Sequence, residues 1–292
     1  MALPRADKAD ICLLLEGTFP YVSGGVSSWV NQIIRGFPEY TFACCFVGSR
    51  PEDYGDMKYT LPDNVVHLEV HYLHDFQRGA EKKPKKGDPE AFERLRRLHE
   101  LMRTGRHSRE REALLGEALD GLGDGCCYSE DAFLHSRASW DFISDAYRKY
   151  SRDPSFVDYF WTVRIMHSPL WVLNDIASNL IPARMYHTIS TGYAGFLGAM
   201  LKRRTGKPLL LSEHGIYTKE RKIDLFQSEW ISDNRGLVEK NNAEMAYFRE
   251  KWVNFFTELG RECYLASDRI VALYERNRER QVSDGAPEAR TM

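Results

Sequence analysis

Residues 11–34, ICLLLEGTFPYVSGGVSSWVNQII, decide the fold class that the sequence predicts. They open with a continuous apolar run, residues 11–15, of the kind that is buried on both faces of a parallel sheet. A turn rich in glycine, proline and serine occupies residues 17–25, and residues 26–34 then place apolar side chains at helical spacing. A strand, a turn and a helix in this order predict the beginning of a parallel βαβ unit.

The same alternation continues over most of the 292 residues. Further strands are predicted at residues 40–47, 65–70, 185–189, 208–212 and 269–273, and further helices at 157–180, 192–204, 242–266 and 274–280. Between about residues 75 and 152 the alternation is interrupted by charged helical patterns at 90–103, 109–122 and 132–150. We therefore expect a single α/β domain over residues 1–292, a parallel sheet flanked by helices, with a helical insertion at about 75–152.

The composition is that of an ordinary globular protein. Hydrophobic residues make up 43% of the chain and charged residues 28%, which excludes general disorder. The formal net charge of −2 argues against a nucleic-acid partner, and the mean hydropathy of −0.48, with only short apolar runs, argues against a membrane span. The N-terminus has no apolar signal region, so we expect a cytoplasmic location.

Neither the cysteines nor the histidines form a recognisable metal motif. The six cysteines include two adjacent pairs, a spacing that suits neither zinc sites nor a disulfide framework, so we expect reduced structural thiols. His67 and His71 fall four residues apart along a predicted strand without a further acidic motif. We therefore expect no metal site.

The turn after the first predicted strand is the most informative local signal. It places Gly24 and Gly25 at the start of a helix, where glycines let backbone N–H groups approach an oxyanion and the helix dipole adds about half a positive charge. The spacing from Gly17 to Gly24 does not fit the dinucleotide fingerprint, and no P-loop lysine follows. A purely structural turn and an anion site both remain open.

A second signal follows the strand predicted at 208–212, in the sequence SEHGIYTKER of residues 212–221. Beyond the carboxyl end of a parallel strand, His214 can donate a hydrogen bond to a sugar hydroxyl or act as a general base. Glu213 can orient the imidazole, and Lys219 or Arg221 can neutralise phosphate. A purely structural histidine is the competing interpretation.

A third strand end, HTISTGY at residues 187–193, also leads into a predicted helix. The simpler interpretation makes Ser190 or Thr191 the N-cap of that helix. The alternative places Ser190, Thr191 and Tyr193 in the floor of a pocket for a polar acceptor. Glu16 and Glu213, both at strand ends, could form a paired-carboxylate site, and no nucleophile elbow is present.

Three segments carry a resemblance to a known family: residues 15–30, residues 190–195 and residues 212–221. With them, the chain resembles the N-terminal half of family-4 glycosyltransferases of the GT-B fold, in particular those of bacterial Pel exopolysaccharide synthesis. The match runs from about Ala9 to Ala272 and includes the helical insertion.

The resemblance implies a Rossmann-like domain that shapes the acceptor side of a retaining, UDP-sugar-dependent transfer to a growing polysaccharide. It implies no cofactor beyond the UDP-sugar substrate, and inner-membrane Pel synthase subunits as partners. It places Gly24 and Gly25 near the donor diphosphate and makes His214 the catalytic residue that contacts the donor sugar. Donor or acceptor binding falls on the remaining motif positions: Glu16, Ser190, Thr191, Tyr193, Glu213, Tyr217, Lys219 and Arg221.

One departure from the family is large, because the sequence ends at Met292, before the second Rossmann-like domain that holds the nucleotide in family members. The resemblance therefore implies that this polypeptide alone does not catalyse transfer. Two other functions remain open: a nucleotide-dependent oxidoreductase, and a noncatalytic module whose insertion docks onto a synthase complex. The oxidoreductase would need an acid at the end of the second strand, where residues 47–50 read VGSR.

Overall fold

Parallel strands form one six-stranded sheet in the computed structural model, which describes residues 3–74, 84–105, 107–151, 155–217 and 242–292. The strands are β1 (Ala9–Glu16), β2 (Phe42–Gly48), β3 (Val65–Tyr72), β4 (Ala183–Thr188), β5 (Leu209–Glu213) and β6 (Arg269–Ala272). Their spatial order is β3-β2-β1-β4-β5-β6, and every pairing is parallel. The predicted α/β class, with a parallel sheet flanked by helices, is confirmed, and the architecture is consistent with a Rossmann-like domain.

The strand order reverses between β1 and β4. From β1 the chain proceeds outward to β2 and β3, and it then returns to β4 on the other side of β1. The connections that follow β1 and β4 therefore lead in opposite directions and leave a crevice at the carboxyl ends of these two strands, where ligands bind in open α/β sheets.

The centre of the sheet is apolar because β1 and β2 are covered on both faces. All seven residues of β2 are buried, and Cys12, Cys44 and Cys45 lie in these two strands. Burial raises the pKa of the Cys44 thiol to about 12, so the group stays protonated. All six cysteines are free, and the prediction of core thiols is confirmed for these three.

The chain divides into two compact units, here called the sheet unit (Met1–Asp75, Ile176–Gln227, Val253–Met292) and the helical unit (Phe76–Asp175, Ser228–Trp252). The insertion was predicted at about 75–152, and the helical unit begins at Phe76 but extends further along the chain. The helices are α1 (Gly25–Gly36), α2 (Pro89–Arg103), α3 (Arg109–Asp120), α4 (Glu130–His135), α5 (Arg137–Tyr150), α6 (Phe156–Asn179), α7 (Tyr193–Thr205), α8 (Asn242–Ala266) and α9 (Glu275–Ser283).

Ser136 corrects one sequence prediction, the single helix over residues 132–150. The Ser136 backbone is extended, and its hydroxyl accepts a hydrogen bond from the Ser139 N–H at 3.1 Å. A serine that caps a new helix start competes with continuing the old helix, so α4 ends at His135 and α5 begins at Arg137. Among the described helices, none is both long and apolar enough to cross a membrane.

Candidate functional site

The predicted site residues gather at one edge of the sheet. Glu16 ends β1, Glu213 ends β5, and residues 190–192 follow β4 after one intervening residue. The three strands are neighbours, with Leu14 paired to Thr188 and Thr188 paired to Leu211. The motifs after β1, β4 and β5 therefore meet at the carboxyl edge, beside the point where the strand order reverses.

The start of α1 is open. Gly24 is the N-cap in an extended conformation, and among the described residues no side chain caps the helix. A Cβ atom added to Gly24 or Gly25 would meet nothing within 4 Å. Because the first N–H groups of a helix point along its axis and carry its positive dipole end, this opening can accept an anion.

His214 packs against α1 close to that start. Its ring lies edge-on to the indole of Trp29, with 4.2 Å between ring centroids and 76° between ring planes. His214 is half-buried, and burial lowers the pKa of its imidazole, which keeps the ring neutral at neutral pH. Its Nε2 atom is buried and has no hydrogen-bond partner among the described residues, so one ring nitrogen lacks the partner that buried polar atoms usually have.

Trp29 also contacts a second histidine, His187, with 6.0 Å between ring centroids and 81° between ring planes. His187 Nε2 is 2.9 Å from the Ser212 hydroxyl oxygen, and both residues are buried. Burial, with a smaller contribution from His214, lowers the pKa of His187 to about 4. The pair holds one side of the indole, so Trp29 is fixed in the orientation in which it contacts His214. The sequence analysis missed Trp29 because it belongs to the apolar repeat of α1.

Glu213 is the centre of a buried hydrogen-bond network. Only 2% of its surface is exposed, and its carboxylate accepts four hydrogen bonds. The donors and their distances are the Thr191 hydroxyl (3.1 Å), the Tyr217 N–H (3.1 Å), the Tyr264 hydroxyl (2.8 Å) and the Gln281 amide (3.0 Å). Burial raises the pKa of Glu213, and the four hydrogen bonds oppose that shift. In this arrangement Glu213 and Thr191 join β5 to α8, α9 and the start of α7.

Glu16 occupies the start of α7. Its Oε2 accepts the Ala194 N–H at 3.1 Å, and its Oε1 accepts the Tyr217 hydroxyl at 2.7 Å. Tyr217 thus bridges the two strand-end carboxylates, since its N–H binds Glu213. A side chain at Gly192 would lie 2.5 Å from Glu16 Oε2 and 2.3 Å from Tyr217 Cζ, so this close approach needs glycine.

The prediction that Ser190 or Thr191 is the N-cap of α7 is wrong. The N-cap is Gly192, without a side-chain cap of its own, and the carboxylate of Glu16 takes that role from β1. Thr191 binds Glu213 instead. The consequence is that the chain itself fills the positive end of α7, whereas the start of α1 stays open.

The other predicted residues differ in their surroundings. Ser190 Oγ, like Thr18 Oγ1 in the loop after β1, is buried without a hydrogen-bond partner among the described residues. Tyr193 is buried and packs against Phe256, with 5.4 Å between ring centroids. Lys219 and Arg221 lie outside the described residues.

The described residues contain no group of three histidine, cysteine or acidic side chains that could hold a metal ion. His67 and His71 both face Glu69, with their Nε2 atoms 2.8 and 2.9 Å from its two carboxylate oxygens. The acidic partner that the sequence analysis did not find is thus the residue between them. Both hydrogen bonds lower the pKa of the Glu69 carboxyl, and the hydrogen bond from His71 has the largest effect.

The fold and the site together define an α/β protein, consistent with a Rossmann-like domain, whose candidate site lies beside the point where the strand order reverses. Over residues 9–289 the chain matches the family model described as "Domain of unknown function (DUF3492)", and it belongs to that family. A comparison with curated proteins finds no match.

Proposed function

We propose that this chain is the acceptor-side part of a retaining, UDP-sugar-dependent glycosyltransferase that extends a bacterial exopolysaccharide of the Pel type. One observation carries the proposal. The uncapped start of α1 at Gly24 and Gly25 and the neutral imidazole of His214 flank the same crevice, and Trp29 of α1 contacts that imidazole. A diphosphate needs the first feature, and a sugar hydroxyl can be bound by the second.

In the proposed reaction the bond between the anomeric carbon and the diphosphate oxygen breaks. A bond from the acceptor hydroxyl oxygen forms on the same face of the sugar, and the acceptor proton passes to the leaving diphosphate. This chain then needs no nucleophile of its own. The N–H groups at the start of α1 stabilise the charge that develops on the diphosphate, and His214 orients the sugar.

The partners and the location are part of the same proposal. The substrate is a UDP-sugar, the acceptor is the growing polysaccharide, and inner-membrane synthase subunits hold the enzyme where the polymer is exported. We place the protein in the cytoplasm, which supplies activated sugars and keeps thiols such as Cys12 and Cys44 reduced.

A nucleotide-dependent oxidoreductase is the second candidate, because the strand order β3-β2-β1-β4-β5-β6 is that of dinucleotide-binding domains. Two features weigh against it. Eight residues separate Glu16, the end of β1, from Gly25, the start of α1, and Arg50 stands where an acid after β2 would bind the ribose.

Calorimetry separates these candidates. UDP, UDP-sugars and NAD are titrated into this chain and into a longer polypeptide that continues into the second Rossmann-like domain that the resemblance implies. We expect UDP-sugar binding by the longer polypeptide. Tight binding of NAD by the shorter one would favour the oxidoreductase, and binding of neither nucleotide would favour a noncatalytic interaction module.

Gly25→Ala tests the open helix start without disturbing the fold. Since a Cβ at this position meets nothing within 4 Å, the free energy of unfolding should stay within about 1 kcal/mol of wild type. The methyl group narrows the approach to the N–H groups, so UDP-sugar affinity should fall roughly tenfold. Gly36→Ala is the matched control, because it also has open space but lies at the other end of α1. Equal affinities for both variants would remove the helix start from the site.

His214→Ala in the longer polypeptide should reduce turnover by more than about tenfold, the amount expected for loss of one hydrogen bond to a reacting sugar. His107→Ala, at an exposed position of the helical unit, is the control. Trp29→Phe keeps an aromatic contact with His214, so its turnover should lie between those of His214→Ala and His107→Ala. Unchanged kinetics in His214→Ala would show that the imidazole does not act on the sugar.

A further inference from the structure

Two adjacent thiols, Cys126 and Cys127, lie at the surface of the helical unit, between α3 and α4. Cys126 is exposed and Cys127 is half-buried, so neither belongs to the core. Both line one open pocket of about 680 Å³, which Arg94 of α2 and Asp120 of α3 also line. The pair is therefore open to small molecules from the solvent, and the proposed function does not use it.

A tight turn presents the two thiols. The Cys126 N–H donates to the Gly123 carbonyl at 3.1 Å, and the Tyr128 N–H donates to the Gly121 carbonyl at 2.9 Å. A Cβ atom added to Gly121 would lie 3.0 Å from Cys127 Sγ, and one added to Gly123 would lie 3.7 Å from Cys126 Sγ. Both sulfur atoms therefore lie against the same turn.

The other adjacent pair, Cys44 and Cys45, shows why the turn matters. These residues lie in β2, where successive side chains point to opposite faces of the sheet, and both are buried. Their sulfur atoms can neither meet each other nor contact a dissolved oxidant. Outside a strand this alternation does not hold, so the sulfur atoms of Cys126 and Cys127 can approach each other.

We propose that Cys126 and Cys127 form a redox modification site, which a low-molecular-weight disulfide of the glutathione type oxidises to a reversible disulfide between the two residues. Cys126 reacts first because it is the exposed thiol. Burial raises the pKa of the Cys127 thiol, so its direct reaction with a dissolved disulfide is slow. Its attack on Cys126 is intramolecular, and this proximity offsets the small thiolate fraction.

The oxidation takes two exchange steps. In the first, the Cys126 thiolate attacks one sulfur of the small disulfide. A bond forms between Cys126 Sγ and that sulfur, the S–S bond of the small disulfide breaks, and one small thiol leaves with the proton that Cys126 has lost. The Cys127 thiolate then attacks Cys126 Sγ, and the second small thiol leaves with the proton of Cys127. Two electrons pass from the two cysteines to one small disulfide, which becomes two thiols.

A disulfide between adjacent residues is strained, which makes it reversible. Cα atoms joined by a trans peptide are about 3.8 Å apart, whereas disulfides usually span about 4.4–6.8 Å between Cα atoms. Strain makes the bond easier to reduce, so an excess of the small thiol should reopen it. The ring also distorts the turn before Tyr128, which is buried and packs against Phe92 with 5.8 Å between ring centroids.

The test treats the folded protein with glutathione disulfide. Free thiols are then alkylated in denaturant after an acid quench, and tryptic peptides are analysed by mass spectrometry. Peptide 112–137 holds only Cys126 and Cys127, and peptide 36–58 holds only Cys44 and Cys45 as the internal control. We expect peptide 112–137 to lose two hydrogen atoms and escape alkylation, while peptide 36–58 is alkylated at both cysteines. Excess glutathione should return peptide 112–137 to its alkylated form.

Single variants separate the two steps, and circular dichroism confirms that each variant is folded. Cys127→Ser should stop at a mixed disulfide between Cys126 and glutathione, because the second thiol is missing. Cys126→Ser should react roughly tenfold more slowly than wild type, since only the half-buried thiol remains.

Four results would overturn the proposal. They are full alkylation of peptide 112–137 after treatment, a mixed disulfide that persists in wild type, equal oxidation of the two adjacent pairs, and a disulfide that excess glutathione does not reduce. Equal reaction rates of Cys126→Ser and wild type would likewise show that Cys126 is not the residue attacked first.

Discussion

Glu213→Ala is expected to lower the free energy of unfolding by about 3–5 kcal/mol, because each buried donor that loses its acceptor costs about 1–3 kcal/mol. The carboxylate is 2% exposed and accepts four hydrogen bonds. Alanine leaves four donors without an acceptor, of which the Tyr264 hydroxyl and the Gln281 amide belong to buried residues on separate helices. The variant should therefore loosen the packing of α8 and α9 on β5 together.

Glu213→Gln is the sharper variant because it keeps the size of the side chain. Its amide has one oxygen, so the NH2 group must face two of the four donors, and we expect a loss of about 2–3 kcal/mol. Glu275→Gln is the matched control, since Glu275 is exposed and pairs with Arg278, and it should change stability by less than about 1 kcal/mol. Denaturant unfolding followed by circular dichroism measures all three. A Glu213→Gln variant as stable as Glu275→Gln would show that the network contributes little.

The local pattern of the sequence was enough to predict the sheet. The apolar run at residues 11–15 became β1, and residues 26–34 became most of α1. Both predictions work because burial on two faces and helical periodicity are properties of neighbouring residues. Ligands lie beyond the carboxyl ends of parallel strands, and this rule was enough to predict that Gly25 and His214 lie at the same edge of the sheet.

The contacts inside the site could not be read in the same way. Glu16 caps α7 across 178 positions of sequence, and local capping rules chose Ser190 or Thr191 instead because only they are adjacent to the helix. Trp29 carries the same apolar signature as a core residue, although it positions an imidazole. The roles of Glu16 and Trp29 depend on which strands, far apart in the sequence, end beside each other at the carboxyl edge of the sheet.

The contacts of the cations in the helical unit could be predicted even less well from sequence patterns. Arg103 and Lys251 fall in charged helices, where lysine and arginine normally face water beside an acid. Among the described residues, Arg103 instead contacts the ring of Tyr150 and Lys251 the ring of Tyr159. Periodicity assigns a residue to a helix face but does not say which helix it meets, so no sequence pattern distinguishes these two cations from Lys149, which binds Glu100.

Acidification from pH 7 to pH 5 is expected to destabilise both units because several histidines have depressed pKa values in the folded chain, three of them strongly. Burial lowers the pKa of His99 to about 3 and of His167 to about 4 in the helical unit, and of His187 to about 4 in the sheet unit. The unfolded chain takes up protons near the ordinary histidine pKa of about 6.5, whereas the folded chain does not. The stability that the neutral rings support is thus complete above about pH 6.5 and is lost as the pH falls towards 4.

The expected loss is roughly 1.4 kcal/mol per pH unit for each histidine once the pH is below about 6.5, and denaturant unfolding at several pH values measures it. His99→Phe tests the origin of the slope. It keeps a ring against His167 and Phe142 but removes one titrating group, so the unfolding of the helical unit should lose about one proton of pH dependence. His107→Gln, at an exposed position, should leave the slope unchanged. If His99→Phe keeps the wild-type slope, or stability is flat between pH 7 and pH 5, the stacked histidines are not neutral in the fold.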